Sequence, residues 1–406
     1  MLRLLALATL CVCLAFRTAA AQQTRAELLE QQRAERAQSL EPYTPNTLEK
    51  ALLYLEDKRV VERLGSGLTG LYPRFGGFTT GSGITFGVGY RYALPGTKHW
   101  EVDASTAFST RGYKSVDLHV RAPALLRGRL EVDGAARWWD YTQEDFFGLG
   151  ESSVDGRTDY RYLGDAVTGI GRYRLHRLFS VGEEVGYLRP RIKEGTDDRF
   201  PSTEQLFTDA EAPGLTRQPH LFYTRTFLDF DYRDHPGNTR SGGRVLFQAG
   251  TGRDQDPSRE FSYRRADLEV LHVFPIFDKK RNFAVHFAAS HVDPVNGDGR
   301  VPFFLSPTIG GANTIRSYLD LRFRDATFVL TNFEYRWEAF SGLDMALFWD
   351  GGDVGRTLRD IRAREYKQGW GFGLRFNTDR RVFLRMDFGF GGPEGTRFFW
   401  KYNPAF

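Results

Sequence analysis

The chain has 406 residues, of which 15% are aromatic and 43 are glycine, with a formal net charge of +4 and a mean hydropathy of −0.43. Beyond the first 21 residues no apolar run is long enough to span a bilayer as a helix, which excludes a helical membrane protein and favours a β protein rich in aromatic residues and glycine. Removing Arg3 and Arg17 with the N-terminal segment lowers the charge from +4 to +2, too small and too evenly spread along the chain to suggest a nucleic-acid partner.

Arg3 precedes an apolar stretch from Leu4 to Phe16, and Ala19, Ala20 and Ala21 give the small-residue pattern of a signal-peptidase site. The stretch is shorter than the roughly 20 residues of a spanning helix, so residues 1–21 are predicted to be a cleaved signal peptide. Both cysteines, Cys11 and Cys13, fall inside it, leaving a mature chain with no disulfide and no thiolate metal site; no cofactor is predicted. Residues 22–65 are rich in Gln, Glu, Leu, Arg and Ala, with no glycine before Gly65. Asn46 and Glu49 fit a capping box, and Leu48, Leu52 and Leu55 share one helical face, predicting a short helical periplasmic leader.

From about Gly70 the period becomes two. Ile84, Phe86, Val88, Tyr90 and Tyr92 alternate with Thr85, Gly87, Gly89 and Arg91, and Val382, Leu384, Met386, Phe388 and Phe390 alternate with Arg381, Arg385 and Asp387. A soluble sandwich also alternates, but its second face would not carry glycine and mixed charge in strand after strand. A transmembrane barrel requires such alternation of every strand, because one face meets lipid and the other a wet lumen. Residues 66–406 are therefore predicted to form an all-β domain, a transmembrane antiparallel β-barrel of about sixteen strands, running from 71–78 to 396–406. An even count puts both termini in the periplasm. The long connections are 193–218 and 293–323, and Trp400, Tyr402 and Phe406 line one face of the last strand. A terminal aromatic on an alternating strand resembles the signal by which outer-membrane barrels are recognised for assembly.

The connection 293–323 contains GGANTIRSY and is followed by TNFEYRW and then ALFWDGG. This order resembles the BamA/TamA family of outer-membrane barrels, in which an extracellular loop folds back into the lumen carrying Val-Arg-Gly-aromatic. The matching residues here are Ile315, Arg316, Ser317 and Tyr318, with Ser317 standing where the family has glycine. The resemblance implies acidic partners on the next strands, at Glu334 and Asp350. FFGLG from Phe146, DYRDHPGNTRSGG from Asp231 and GWGFGLRF from Gly369 extend it over roughly residues 70–406. Relatives carry periplasmic POTRA domains, which residues 22–65 are too few to form.

Parity supports the same arrangement. Thr331, Phe333, Tyr335 and Trp337 are predicted on the lipid face, as are Met345, Leu347 and Trp349, which turns Glu334, Arg336, Asp344 and Asp350 to the lumen. Arg316 on an inward loop would then meet carboxylates of two adjacent strands and lock the loop. In a wet lumen the lock is expected to be worth less than the 3–5 kcal/mol, on the order of magnitude, of a fully buried pair. The alternative is an exposed loop above solvated charges. Pro404, Pro73, Gly76 and Gly77 predict few hydrogen bonds where the first and last strands meet, and relatives are thought to open there.

No enzyme is expected. His286 and His291 are five apart and face opposite sides, His235 beside Asp234 lacks a nucleophile motif, and Asp229 and Asp231 are flanked by Arg225 and Arg233. The resemblance implies insertion or translocation of polypeptide, or of lipid, at the outer membrane, with a passive or structural barrel as the alternative. Implied partners are outer-membrane lipid and a client polypeptide or periplasmic accessory protein, with no nucleic acid.

Overall fold

A computed structural model describes residues 69–402, apart from 76–77, 80, 95–99, 151–155, 277–278 and 379. The signal peptide 1–21, the leader 22–65, Gly76, Gly77, Pro404 and Phe406 lie outside the described residues. One antiparallel sheet of sixteen strands runs in chain order: β1 Gly70–Phe75, β2 Thr85–Ala93, β3 Glu101–Ser109, β4 Lys114–Ala124, β5 Leu130–Phe146, β6 Thr158–His176, β7 Phe179–Glu194 and β8 Leu221–Asp231. It continues through β9 Gly242–Asp254, β10 Tyr263–Ile276, β11 Arg281–Pro294, β14 Thr327–Phe340, β15 Leu343–Gly355, β16 Lys367–Asn377, β17 Val382–Phe390 and β18 Arg397–Lys401. Between β11 and β14, β12 (Thr308–Ile309) and β13 (Phe323–Arg324) pair as a separate two-stranded ribbon. That ribbon is absent from the sequence reading, because two residues are too few to show a period.

The sheet is turned inside out relative to a soluble protein. Val167, Leu347, Trp370, Phe398 and Trp400 are 50–61% exposed on the outward face, while Arg385, Glu334 and Asp350 are buried on the inward one. Hydrocarbon solvates the first set and the antiparallel ladder satisfies the backbone between them. β5 and β15 run on to Phe146 and Gly355. Alternation disappears there because both faces are covered: every residue of β15 from Asp350 to Gly355 is buried.

The edge strands are the shortest of the sheet, six residues in β1 and five in β18. No pair joins them among the described residues. They nevertheless face each other, since Phe75 and Phe78 share with Phe398, Trp400 and Tyr402 the lining of one cavity of about 900 Å³.

Seven short connections lie at one end of the sheet and eight, including the two longest, at the other. Short turns are periplasmic and long loops extracellular in barrels of this kind. At the outer end, inward residues Phe146, Tyr160 and Ile192 pack with Ala212 and Leu215 of the β7–β8 connection and with Phe303 of the β11–β14 connection. The Phe303 N–H donates to Pro213 O at 2.8 Å, and Glu260 pairs with both Arg217 and Arg300.

At the inner end the β8–β9 connection forms a strap. Tyr232 N–H to Gly243 O (2.8 Å) and Asp234 N–H to Ser241 O (3.0 Å) prolong the hairpin. Its tip reaches the β16–β17 turn, where Val382 N–H donates to Gly237 O and Asn238 Nδ2 to Thr378 O, both at 2.8 Å. A Cβ at Gly237 would lie 2.5 Å from Arg380 O, so glycine is required for this approach. Lys279 pairs with Asp234 at 3.0 Å and Arg240 with Asp344 at 3.1 Å, fastening the strap to two more turns.

Candidate functional site

The long β11–β14 connection folds into the lumen as a compact hairpin. Its ribbon β12–β13 leads into Gly310 and Gly311, both with positive φ, where a Cβ would strike Leu319 O and the Asp320 carboxylate respectively. Gly310 N–H donates to Thr314 Oγ1 at 2.7 Å and Tyr318 N–H to Ile315 O at 3.2 Å, so the tetrapeptide is shaped by local bonds. Ile309, Ile315, Tyr318 and Phe323 then bury themselves against Leu330 of β14 and Val354 of β15. This apolar contact, rather than the ion pair alone, seats the loop on the wall.

Arg316, 1% exposed, is held on every side. Its Nε and Nη2 donate to Asp350 Oδ2 and Oδ1 at 2.8 and 2.7 Å, a bidentate fork, and Nη1 donates to Glu334 Oε2 at 2.6 Å. Its backbone N–H also reaches Asp350 Oδ2 at 3.0 Å, and the guanidinium lies 3.5 Å from the centre of the Phe348 ring. Arginine cannot lose its proton here, so planar geometry and fixed charge make the contact directional. Asn332 Nδ2 bridges Asp350 Oδ1 (2.8 Å) and Thr314 O (2.7 Å), and its Oδ1 accepts from His286 Nδ1 at 2.8 Å.

The carboxylates have further partners. Glu334 Oε1 accepts from Arg336 Nε at 2.7 Å and from Arg375 Nη2 at 3.0 Å. Arg375 pairs with Asp387 at 2.7 Å, Arg385 with Asp387 at 3.1 Å, and Arg385 Nη2 donates to Ala312 O at 2.8 Å. Beyond the tetrapeptide, Glu394 accepts from Leu319 N–H at 2.7 Å and Arg322 Nε at 2.6 Å. Glycines on the facing strands make the room: a Cβ on Gly389 would lie 1.9 Å from Arg316 O, and one on Gly369 2.0 Å from Ser317 Oγ.

Ile315, Arg316, Ser317, Tyr318, Glu334 and Asp350 are thus brought together, with Arg316 and Ser317 buried. Burial is also fuller than the wet lumen expected at first, because loop, glycines and Phe348 exclude water from the pair. Ser317 takes the family's glycine position without strain: its φ is not positive, and its side chain packs against Gly369. Trp400 and Tyr402 face outward and exposed; their partner Phe406 lies outside the described residues.

Sequence reading missed Arg375, Asn332 and Glu394 as parts of the clamp, and placed Arg385 and Asp387 no further than on a polar face. Inward parity was the available signal, but which inward charges meet depends on how deep the loop sits. Asp229 does not pair with the flanking Arg225. It binds Arg172 of β6, across the intervening β7, and Arg244 of β9 at 2.6 and 2.8 Å, whereas Arg225 goes to Glu184, its register partner on β7. Asp231 does pair with Arg233, at 2.7 Å. Among the described residues no group of three His, Cys, Asp or Glu side chains is placed to hold a metal.

Residues 188–401 match the Omp85 superfamily domain. No curated protein matches the sequence. BamA from Haemophilus ducreyi lacking POTRA domains 1–3 superposes with a TM-score of 0.59 at 14% identity, covering 82% of this chain and 69% of that one. CdiB from Escherichia coli gives 0.53 at 14% identity, covering 81% of this chain; this chain thus spans 61% of the length of CdiB. Both likenesses speak to the fold. The family match takes in the lumenal loop and the strands that hold it, over more than half of the 406 residues, and the chain accordingly belongs to the Omp85 superfamily and is an outer-membrane β-barrel.

Proposed function

We propose that this barrel takes part in inserting or translocating polypeptide at the outer membrane, with Arg316 fixing the lumenal loop as an internal plug. The observation that carries the reading is the buried clamp of Arg316 between Glu334 and Asp350, which makes the loop part of the barrel's interior. A passive pore needs a continuous wet lumen, and both this loop and the apolar cluster around Phe303 oppose one. The two short edge strands, with no pair between them among the described residues, support opening of the wall at the β1–β18 seam, where Trp400 and Tyr402 present the aromatic assembly signal to the membrane. Client polypeptide, lipid and any periplasmic accessory protein are partners of the proposal.

The test is reconstitution in planar bilayers and in vesicles. The expected result is little steady conductance in the intact protein, a rise when residues 293–323 are deleted, and faster folding of a second barrel added from urea. Large steady conductance without such acceleration establishes the passive pore instead. For the seam, one cysteine in β1 and one in β18, oxidised to a cross-link, are expected to abolish the acceleration. Full activity of the cross-linked protein removes lateral opening from the proposal.

A further inference from the structure

Charge that is evenly spread along the sequence is sorted by the fold. Counted over the whole intervals between strands, the seven short connections carry ten lysines and arginines against three acidic residues, and the eight outer connections carry thirteen against fifteen. The small net charge therefore hides a basic inner rim, because turns and loops alternate along the chain but gather at opposite ends.

Some of these cations serve the strap, as Arg240 and Lys279 do. Arg127 and Arg129 in the β4–β5 turn and Arg177 in the β6–β7 turn do not, nor does Arg174 near the end of β6. All four are exposed, and they make no ion pair among the described residues. An exposed apolar side chain adjoins each pair of arginines: Leu126, 65% exposed, directly precedes Arg127, and Leu175, 56% exposed, directly follows Arg174. Farther round, exposed Phe274 and Ile276 lie at the end of β10, and Lys279, Lys280 and Arg281, beginning three residues after Ile276, are exposed too.

The repeated layer of outward apolar residue and flanking cation lies where the hydrocarbon band of the wall ends. A partner for it must offer acyl chains and negative charge in the same two layers, following the rim from turn to turn. An acidic protein supplies the charge but not the layering. Arginine and lysine stems lie along apolar surface while their heads reach the headgroup phosphates.

We propose that the inner rim is a docking surface for anionic phospholipid headgroups of the periplasmic leaflet, with Arg127, Arg129, Arg174 and Arg177 as principal ligands. The inference rests on the outer-membrane orientation used above. The full chain, released from nanodiscs of equimolar phosphatidylglycerol and phosphatidylcholine, is examined for retained lipid by native mass spectrometry.

The wild type is expected to retain phosphatidylglycerol with a preference of about tenfold. Together, Arg127→Gln, Arg129→Gln, Arg174→Gln and Arg177→Gln are expected to bring it near parity. Arg359→Gln, Arg362→Gln and Arg364→Gln in the outer β15–β16 connection are expected to leave it unchanged. Parity in the wild type, or a preference that survives the fourfold change, overturns the proposal. Wild-type parity combined with tight binding of a polyglutamate peptide hands the surface to an acidic protein and overturns it as well.

A membrane-impermeant maleimide on intact cells separates the two levels. The Arg364→Cys variant is expected to label and the Arg177→Cys variant to stay protected. Reversed labelling removes the orientation and with it the functional reading, whereas lipid parity with the expected labelling removes only the docking surface.

Discussion

The clamp around Arg316 distributes its charges unequally, and that decides which side chain matters most. Glu334 is shared by Arg316, Arg336 and Arg375, while Asp350 serves Arg316 and Asn332. Replacing Glu334 by glutamine leaves those three guanidinium groups, with Arg385 beside them, facing two carboxylates. Breaking a buried pair from one side costs on the order of 3–5 kcal/mol. Glu334→Gln is therefore expected to lower the temperature at which the folded band disappears in semi-native electrophoresis by more than Asp350→Asn does. An equal or smaller drop would show that the bidentate fork to Asp350 dominates. Arg316→Lys keeps the charge but loses the fork and is expected to behave like Asp350→Asn, with raised conductance in bilayers. At this scale the sequence disclosed Arg316, Glu334 and Asp350 through motif order and parity. It could not disclose Asp387 or Arg375, because their contact depends on how far the loop descends along β16 and β17.

Strands were legible because lipid on one side and water on the other force the same alternation on each of them, so that even β16, with Gly369, Gly371 and Gly373 inward, declares its faces. Illegible was why those glycines are there. Gly389 and Gly369 are negative images of the loop, and a pattern of period two marks them only as small. Gly389→Ala puts a methyl into the backbone of Arg316, and is expected to expel the loop and raise conductance, while Gly171→Ala, with nothing within 4 Å of its Cβ, is expected to change neither conductance nor stability. Equal behaviour of the two variants would mean that the loop can shift at no cost. The strap gives a pH dependence of its own. Despite partial burial, Asp234 is held below its ordinary 3.8 by Lys279 and by the backbone N–H groups of Arg240, His235 and Ser241. A depressed carboxyl contributes stability above its unfolded pKa and loses it as pH falls through the folded one. Exchange of the Val382 amide, corrected for its intrinsic rate, is expected to be flat from neutral pH down to about pH 4 and to quicken below that. Unchanged protection in acid, or loss of protection near neutrality, would assign the anchoring to Asn238 and Gly237 instead.

For the molecule as a whole, sequence order and spatial order disagree about charge: net positive charge collects at the inner rim once alternate connections are stacked, because most acidic residues of the connections fall at the outer one. Connectivity between distant turns was hidden for a similar reason, since DYRDHPGNTRSGG reads as a family stretch and not as a tie to residues 378–382. The strap is a bowstring. It runs from the β8–β9 connection to the β16–β17 turn beneath β9, β10, β11, β14, β15 and β16, and pins that arc of wall, the same arc that bears most of the plug, at a fixed chord. At the inner end, any change in girth must then be absorbed outside that chord, by β1–β8 and by β17 and β18, while the tied arc keeps its shape.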